Sequence, residues 1–430
     1  MKKWALFLVV SFSLQQISLG QARREDIYSD FVLYNKRERL NKDLRENIIA
    51  RTFAQELDSN NEHKFESACK AVSQFMIKNE EVEKGFEQLF KQYDVIPYPT
   101  KRAFLEAVYA VSPTGYEKQL KSILETETNP KLFVMSALYL YRTDTSTENV
   151  NYLKIRMVEL FPGYDTLEIL TAFDRYLNNN FSSRKNKTPD VRHLFLHQRT
   201  HGKKIIYSLQ RWNRDYPGLA IVQNADGHFM RNAAGRLMVF QQLARSASDL
   251  PYFITNGSTP QGIYSIQGTA VAHNNYIGPT PNLQLLMPHE KSWEKYFHQP
   301  IDSTVDSLRL YKELLPLSWR NYSPMSEAWE AGKIGRTEII AHGTTIDPEY
   351  FKDKPYYPLT PTMGCLCAKE VWNITSGKLL ISEQFNLVST YTSTPLQKGF
   401  LFVINLDDLQ KAVTREEIEK WVNLFEKTLK

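Results

Sequence analysis

Asn178-Asn179-Asn180, followed by Ser182-Ser183-Arg184-Lys185-Asn186-Lys187-Thr188-Pro189, separates two kinds of sequence in this chain. Residues 21–190 hold three glycines (Gly85, Gly115, Gly163), whereas residues 191–430 hold fourteen. Glycine-poor sequence with apolar residues at period 3.6 predicts helices; glycine-rich sequence with short apolar runs predicts strands and turns. The expected fold class is therefore α+β. An all-helical N-terminal domain, 21–187, precedes a β-rich domain with peripheral helices, 188–430.

Working outward toward the N-terminus, the helical part reads as packed hairpins. Asn129-Pro130 pairs a capping residue with proline at the first helical position, ahead of Leu132 to Leu138. A second helix carries Val150, Leu153, Met157 and Phe161 on one face and stops at Pro162-Gly163. No spacing of chemical groups stands out here, so this part is read as a scaffold or a binding surface, with a cell-envelope protein as its expected partner. At the extreme N-terminus, Lys2 and Lys3 precede an apolar run from Trp4 to Leu14, then Ser18-Leu19-Gly20. That order matches a secretory signal peptide, expected over 1–20, with an apolar core too short to span a bilayer. An exported protein of the periplasm or cell envelope is expected, with no transmembrane segment after signal removal.

Toward the C-terminus, Gly218 to Gln223 runs into Asp226-Gly227, a hairpin signal. Further strands are expected at Arg236–Gln241, Pro251–Thr255, Ile263–Gln267, Thr337–Ala341 and Gly399–Asn405. The chain closes in an amphipathic helix: Thr414 and Glu417 form a capping box ahead of Ile418, Trp421, Val422, Phe425 and Leu429.

Composition excludes some functions. Lys and Arg number 53 against 48 Asp and Glu, a net charge of +5, without a basic stripe interleaved with aromatics, so nucleic acid is not an expected partner. The three cysteines, Cys69, Cys365 and Cys367, are an odd number in an exported chain, which leaves a thiol free. Cys69 falls on the apolar stripe Phe65-Ala68-Val72-Met76 and reads as core. Cys365 and Cys367 are too close for an unstrained bridge. His193, His197 and His201 recur every four residues, but no acid lies nearby; they read as surface or boundary histidines, and neither metal nor cofactor is expected.

The chemistry concentrates in Ile339-Ile340-Ala341-His342-Gly343-Thr344 and Thr362-Met363-Gly364-Cys365. A strand ending in His-Gly would deliver an imidazole to a sheet edge, and Gly-Cys would return a thiol there. The imidazole can take the thiol proton and later hand it to a leaving amine. Backbone N–H groups around Gly364 and Cys365 are candidates for an oxyanion hole.

Three segments, in order, make residues from about Gly218 to Asn405 resemble the L,D-transpeptidase (YkuD-like) catalytic domain. They are Ser258-Thr259-Pro260-Gln261-Gly262-Ile263-Tyr264-Ser265-Ile266, Ala341-His342-Gly343-Thr344 and Thr362-Met363-Gly364-Cys365-Leu366. The closing strand Gly399–Ile404 falls where that family has its last strand. The resemblance implies a peptidoglycan L,D-transpeptidase with Cys365 as nucleophile and His342 as base. It further implies that Gly343 lies near the carbonyl orienting His342; from their positions, Gly364 is expected at the oxyanion hole and Thr362, Met363, Tyr357 and His273 toward the substrate. Peptidoglycan stem peptides would be the partner, joined through a thioester. The chain departs from the pattern at Met363, where the family has histidine, and at Cys367, where it has arginine. The proline-rich connection containing Pro348, Pro355, Pro358 and Pro361 is expected to form a flap, with Tyr350, Tyr356 and Tyr357 facing substrate. Two alternatives stay open: a carboxypeptidase or endopeptidase on the same site, and a non-catalytic wall-binding protein.

Overall fold

A computed structural model describes residues 23–182, 187–302 and 304–429. The expected signal peptide, 1–20, lies outside the described residues, as do positions 183–186 of the polar stretch. The α+β division appears as expected, helical first and then strand-rich.

In the N-terminal part, Glu62–Phe75, Glu80–Lys91, Tyr98–Val111, Glu117–Leu124, Pro130–Thr143, Thr147–Leu160 and Glu168–Ser182 are helices. The side-chain oxygen of Asn129 accepts N–H bonds from Lys131 at 3.0 Å and Leu132 at 3.2 Å, capping a helix that opens on Pro130. The run Asn178-Asn179-Asn180, read as the start of a linker, belongs to the helix Glu168–Ser182.

The C-terminal part is a closed eight-stranded barrel with a two-stranded sheet beside it. In chain order the strands are β1 (Ile205–Gln210), β2 (Gly218–Gln223), β3 (Phe240–Leu243), β4 (Gly262–Ala270), β5 (Asn282–Leu286), β6 (Ala341–His342), β7 (Leu366–Ala368), β8 (Glu370–Trp372), β9 (Leu379–Ser382) and β10 (Gly399–Asn405). Around the barrel they run β1-β10-β4-β5-β6-β7-β3-β2, while β8 pairs with β9. The β1–β10 and β6–β7 pairs are parallel; the other barrel pairs are antiparallel. All eight barrel strands send side chains into one apolar cluster, including Ile206, Ala220, Phe240, Tyr264, Leu283, Ala341, Leu366 and Leu401, which is thereby the interior. The helix Glu383–Thr392 adds Leu387, Val388 and Tyr391 to it. The C-terminal helix Arg415–Glu426 covers another face with Ile418, Val422 and Phe425, and the Thr414 hydroxyl caps it at the Glu417 N–H.

Three expected strands are corrected. Pro251–Thr255 is a turn, with the Ile254 N–H bonded to Pro251 O at 3.0 Å; its Phe253 and Ile254 are apolar because they enter the helical part's core. Only the end of Arg236–Gln241 is strand, as part of β3. Thr337–Ala341 shrinks to the two residues of β6.

One hydrophobic cluster joins the two parts. Phe65, Phe104 and Phe133 of the helices lie in the same cluster as Leu243, Leu250, Phe253 and Ile254 and the connection residues Ile346, Phe351, Tyr356 and Leu359. The earliest described residues cross over as well: Ile27 and Val32 pack on Trp372 of β8 and Leu379 of β9. Across the boundary near residue 187 the barrel keeps two apolar clusters of its own, and a third is shared with the helices. Among the described residues no helix is long and apolar enough to cross a membrane.

Candidate active site

Side chains alternate across a strand. Since Ala341 and Leu366 pair and both enter the barrel interior, their neighbours on β6 and β7 point outward. His342 is paired with Cys367 on that outer face. Cys365, two residues before Cys367, lies at the start of β7, with the Leu366 N–H bonded to Ile340 O at 3.0 Å. Parallel pairing of two very short strands thus brings His-Gly and Gly-Cys to one edge despite the separation of their sequence positions.

The imidazole of His342 is buried, and its Nδ1 lies 2.5 Å from the carbonyl oxygen of Gly343. That bond selects the tautomer with the proton on Nδ1 and leaves Nε2 as an acceptor with no partner among the described residues. Burial pushes the imidazole down to about 4, against the opposing pull of the Gly343 carbonyl.

Cys365 sits on a tight turn. The Thr362 hydroxyl donates to Cys365 O at 2.8 Å and accepts the Gly364 N–H at 3.1 Å. Gly364 has φ +116°, and a Cβ there would lie 2.5 Å from Arg336 Nη2 and 2.9 Å from Gly257 O, so both conformation and space demand glycine. The Thr259 hydroxyl donates to Gly364 O at 2.9 Å, tying the Thr-Pro-Gln-Gly segment to the cysteine turn. The half-buried sulfur has the Ile340 N–H and the Glu338 carbonyl each at 3.5 Å. Burial pushes the thiol up to about 11, while the Ile340 N–H and the Arg336 guanidinium pull the other way. With these shifts both the Cys365 thiol and the His342 imidazole rest neutral at neutral pH.

The other predicted residues divide. The Gly343 carbonyl does orient His342. The Gly364 N–H is held by Thr362, so of the two the Cys365 N–H is the one with no hydrogen-bond partner among the described residues. The hydroxyl of Thr362 is occupied within the turn rather than open to a substrate. Met363 is half-exposed beside it. Tyr357 is exposed and bonds Glu349 at 2.8 Å. Tyr356 is buried in the shared core, and Tyr350 packs at a tilt against Phe75, ring centroids 4.9 Å apart, lining a small cavity with Phe31 and Arg37. The connection is thus a strut between the two parts, not a flap. His273 is exposed on the β4–β5 connection and bonds to neither Cys365 nor His342. Cys367 is buried with Thr360 Oγ1 at 3.6 Å, and Cys69 is buried in the helical core. His193 bonds Ser318 and His197 bonds Glu313 O, each at 3.0 Å, in boundary positions.

Two residues escaped sequence reasoning. Arg336 is buried behind the cysteine turn and donates to the carbonyls of Gly257 at 2.9 Å, Ser258 at 3.1 Å and Tyr252. Glu370 is a buried carboxylate behind His342-Gly343-Thr344. Neither belongs to a recognisable spacing; only tertiary packing singles them out. No protein-family model, no curated protein and no solved structure matches the chain.

Proposed function

We propose that this protein is a thiol acyltransferase acting on peptidoglycan stem peptides, an L,D-transpeptidase in its chemistry, exported to the cell envelope. The observation that supports this reading is the parallel pairing of β6 with β7, which sets His342 opposite Cys367 and leaves Cys365 two residues earlier, just before β7, with His342 Nδ1 anchored on the Gly343 carbonyl.

The Cys365 thiol gives its proton to His342 Nε2 as sulfur attacks the carbonyl that joins the stem's diamino acid to its terminal D-residue. The Cys365 N–H stabilises the oxyanion. Collapse breaks the C–N bond, and the departing amine takes the proton from His342, leaving a thioester. The side-chain amine of a second stem then attacks the thioester, returning its proton through His342 to sulfur and leaving a cross-link. Water as acceptor would instead trim the stem.

Two experiments test the reading. A carbapenem should acylate Cys365 one to one, read as a mass increase absent from Cys365→Ala. Purified wall digested with the enzyme should gain cross-linked dimers. Loss of dimers without gain would assign a hydrolase. Absence of both adduct and turnover would favour the non-catalytic binding reading, which draws on the sulfur's resting contacts with Ile340 and Glu338 rather than with His342.

A further inference from the structure

We infer that Glu370 is a positioning residue for His342, acting through the Gly343–Thr344 peptide bond. This inference rests on the Cys365–His342 reading above. One face of that peptide unit, the Gly343 carbonyl, meets the imidazole Nδ1 at 2.5 Å; the other, the Thr344 N–H, donates to Glu370 Oε2 at 2.9 Å. A carboxylate drawing on an amide N–H increases the negative charge on the same amide's oxygen, and hydrogen bonds in series strengthen one another. The carboxylate thus favours the imidazolium from a distance, as a directly bonded acid does in other nucleophile–histidine sites.

The surroundings are built to hold that carboxylate. Ser382 donates to Glu370 Oε1 at 2.7 Å, and the Trp372 indole N–H donates to Thr344 O at 2.8 Å, fixing the turn from its far side. A Cβ on Gly343 would lie 2.2 Å from the carboxyl carbon of Glu370, so the glycine after the histidine is what lets the acid approach. Cys367 is the titratable group close enough to feel Glu370, whose other neighbours include Ser382, Thr280, Trp372 and Thr344. Burial pushes Glu370 up to about 7, so its charge comes on across neutrality.

The test is the pH profile of Cys365 alkylation by iodoacetamide in the full-length protein, with fragment mass spectrometry separating Cys365 from Cys367. In Glu370→Gln the rate at pH 7 should fall about tenfold, the midpoint rising by about one pH unit. Glu370→Asp, which keeps the charge, should restore the midpoint. A purely structural role would lower the melting temperature in both variants and leave both midpoints alone, overturning the inference. His342→Ala separates the two levels. If that variant leaves the profile unchanged, the Cys–His reading fails; if it shifts the profile and Glu370→Gln does not, only the role of Glu370 fails. Should Glu370→Gln not fold, wild-type protein with isotope-labelled histidine and threonine decides. The His342 ring and Thr344 amide signals should titrate together near neutrality, and independent midpoints would overturn the coupling.

Discussion

Cys365 and Cys367 differ by one alternation of a strand pair, yet their environments assign them different parts. The first is half-buried on a glycine turn with free N–H; the second is enclosed beside Thr360. Cys365→Ser should abolish wall cross-linking while leaving the melting temperature close to wild type, because a hydroxyl is a far poorer nucleophile with the same base. Cys367→Ser should keep most of the activity in the same assay. Gly364→Ala tests the turn itself. With φ +116° and a Cβ 2.5 Å from Arg336, alanine should destabilise by about 1–3 kcal/mol in denaturant titration and displace the nucleophile. The His-Gly and Gly-Cys pairs were legible in sequence as short motifs, and the structure shows why glycine stands in each: backbone conformation at Gly364, and the close approach of Glu370 at Gly343. Arg336 and Glu370 were not, since an arginine or glutamate without a spacing partner looks like surface charge until packing buries it.

The connection between β6 and β7 shows how an element can be read correctly for order and wrongly for purpose. Its prolines and tyrosines do mark an ordered segment, but Tyr350, Phe351 and Tyr356 pack into the core shared with the helices, while Tyr357 stays exposed. Tyr356 is buried, with its hydroxyl 3.3 Å from the sulfur of Met76. Tyr356→Ala should therefore cost about 3–5 kcal/mol, measured by chemical denaturation, as for a large buried aromatic. Because this strut holds both β6 and β7, activity should fall in parallel with stability. A flap that merely contacts substrate would lose activity without losing stability. Helix ends, by contrast, were readable from local residues: Asn129 and Thr414 each cap within one turn, although the Glu417 carboxylate expected to complete the Thr414 box pairs with Arg211 instead.

Across the molecule, two buried ionisable groups of the site pull stability in opposite directions with pH. Glu370 is raised from 4.5 to about 7, so its protonated form is favoured by folding. Its contribution is fully present below about 4.5 and is lost as pH rises through 7. His342 is lowered from 6.5 to about 4, so its contribution is present above 6.5 and is lost as pH falls toward 4. Removing the Glu370 charge should therefore help most at high pH. Between pH 5 and pH 8, the stability of Glu370→Gln relative to wild type should rise by up to about 3 kcal/mol, read from paired melts across that range. A flat difference would mean that the carboxyl does not ionise on schedule.

Local sequence settled the alternation of helix and strand and the capped helix ends, and it singled out the two glycine-flanked candidates His342 and Cys365, because each depends on neighbours within a few positions. Barrel closure, the strut joining helices to barrel, and the carboxylate behind the histidine turn depended on contacts between distant segments. A β6 of only two residues carries almost no pattern of its own. Pro251–Thr255 looks like a strand because its apolar residues serve another part's core. Burial is a property of the whole packed chain, and it is burial that set Arg336 and Glu370 behind the cysteine and histidine turns.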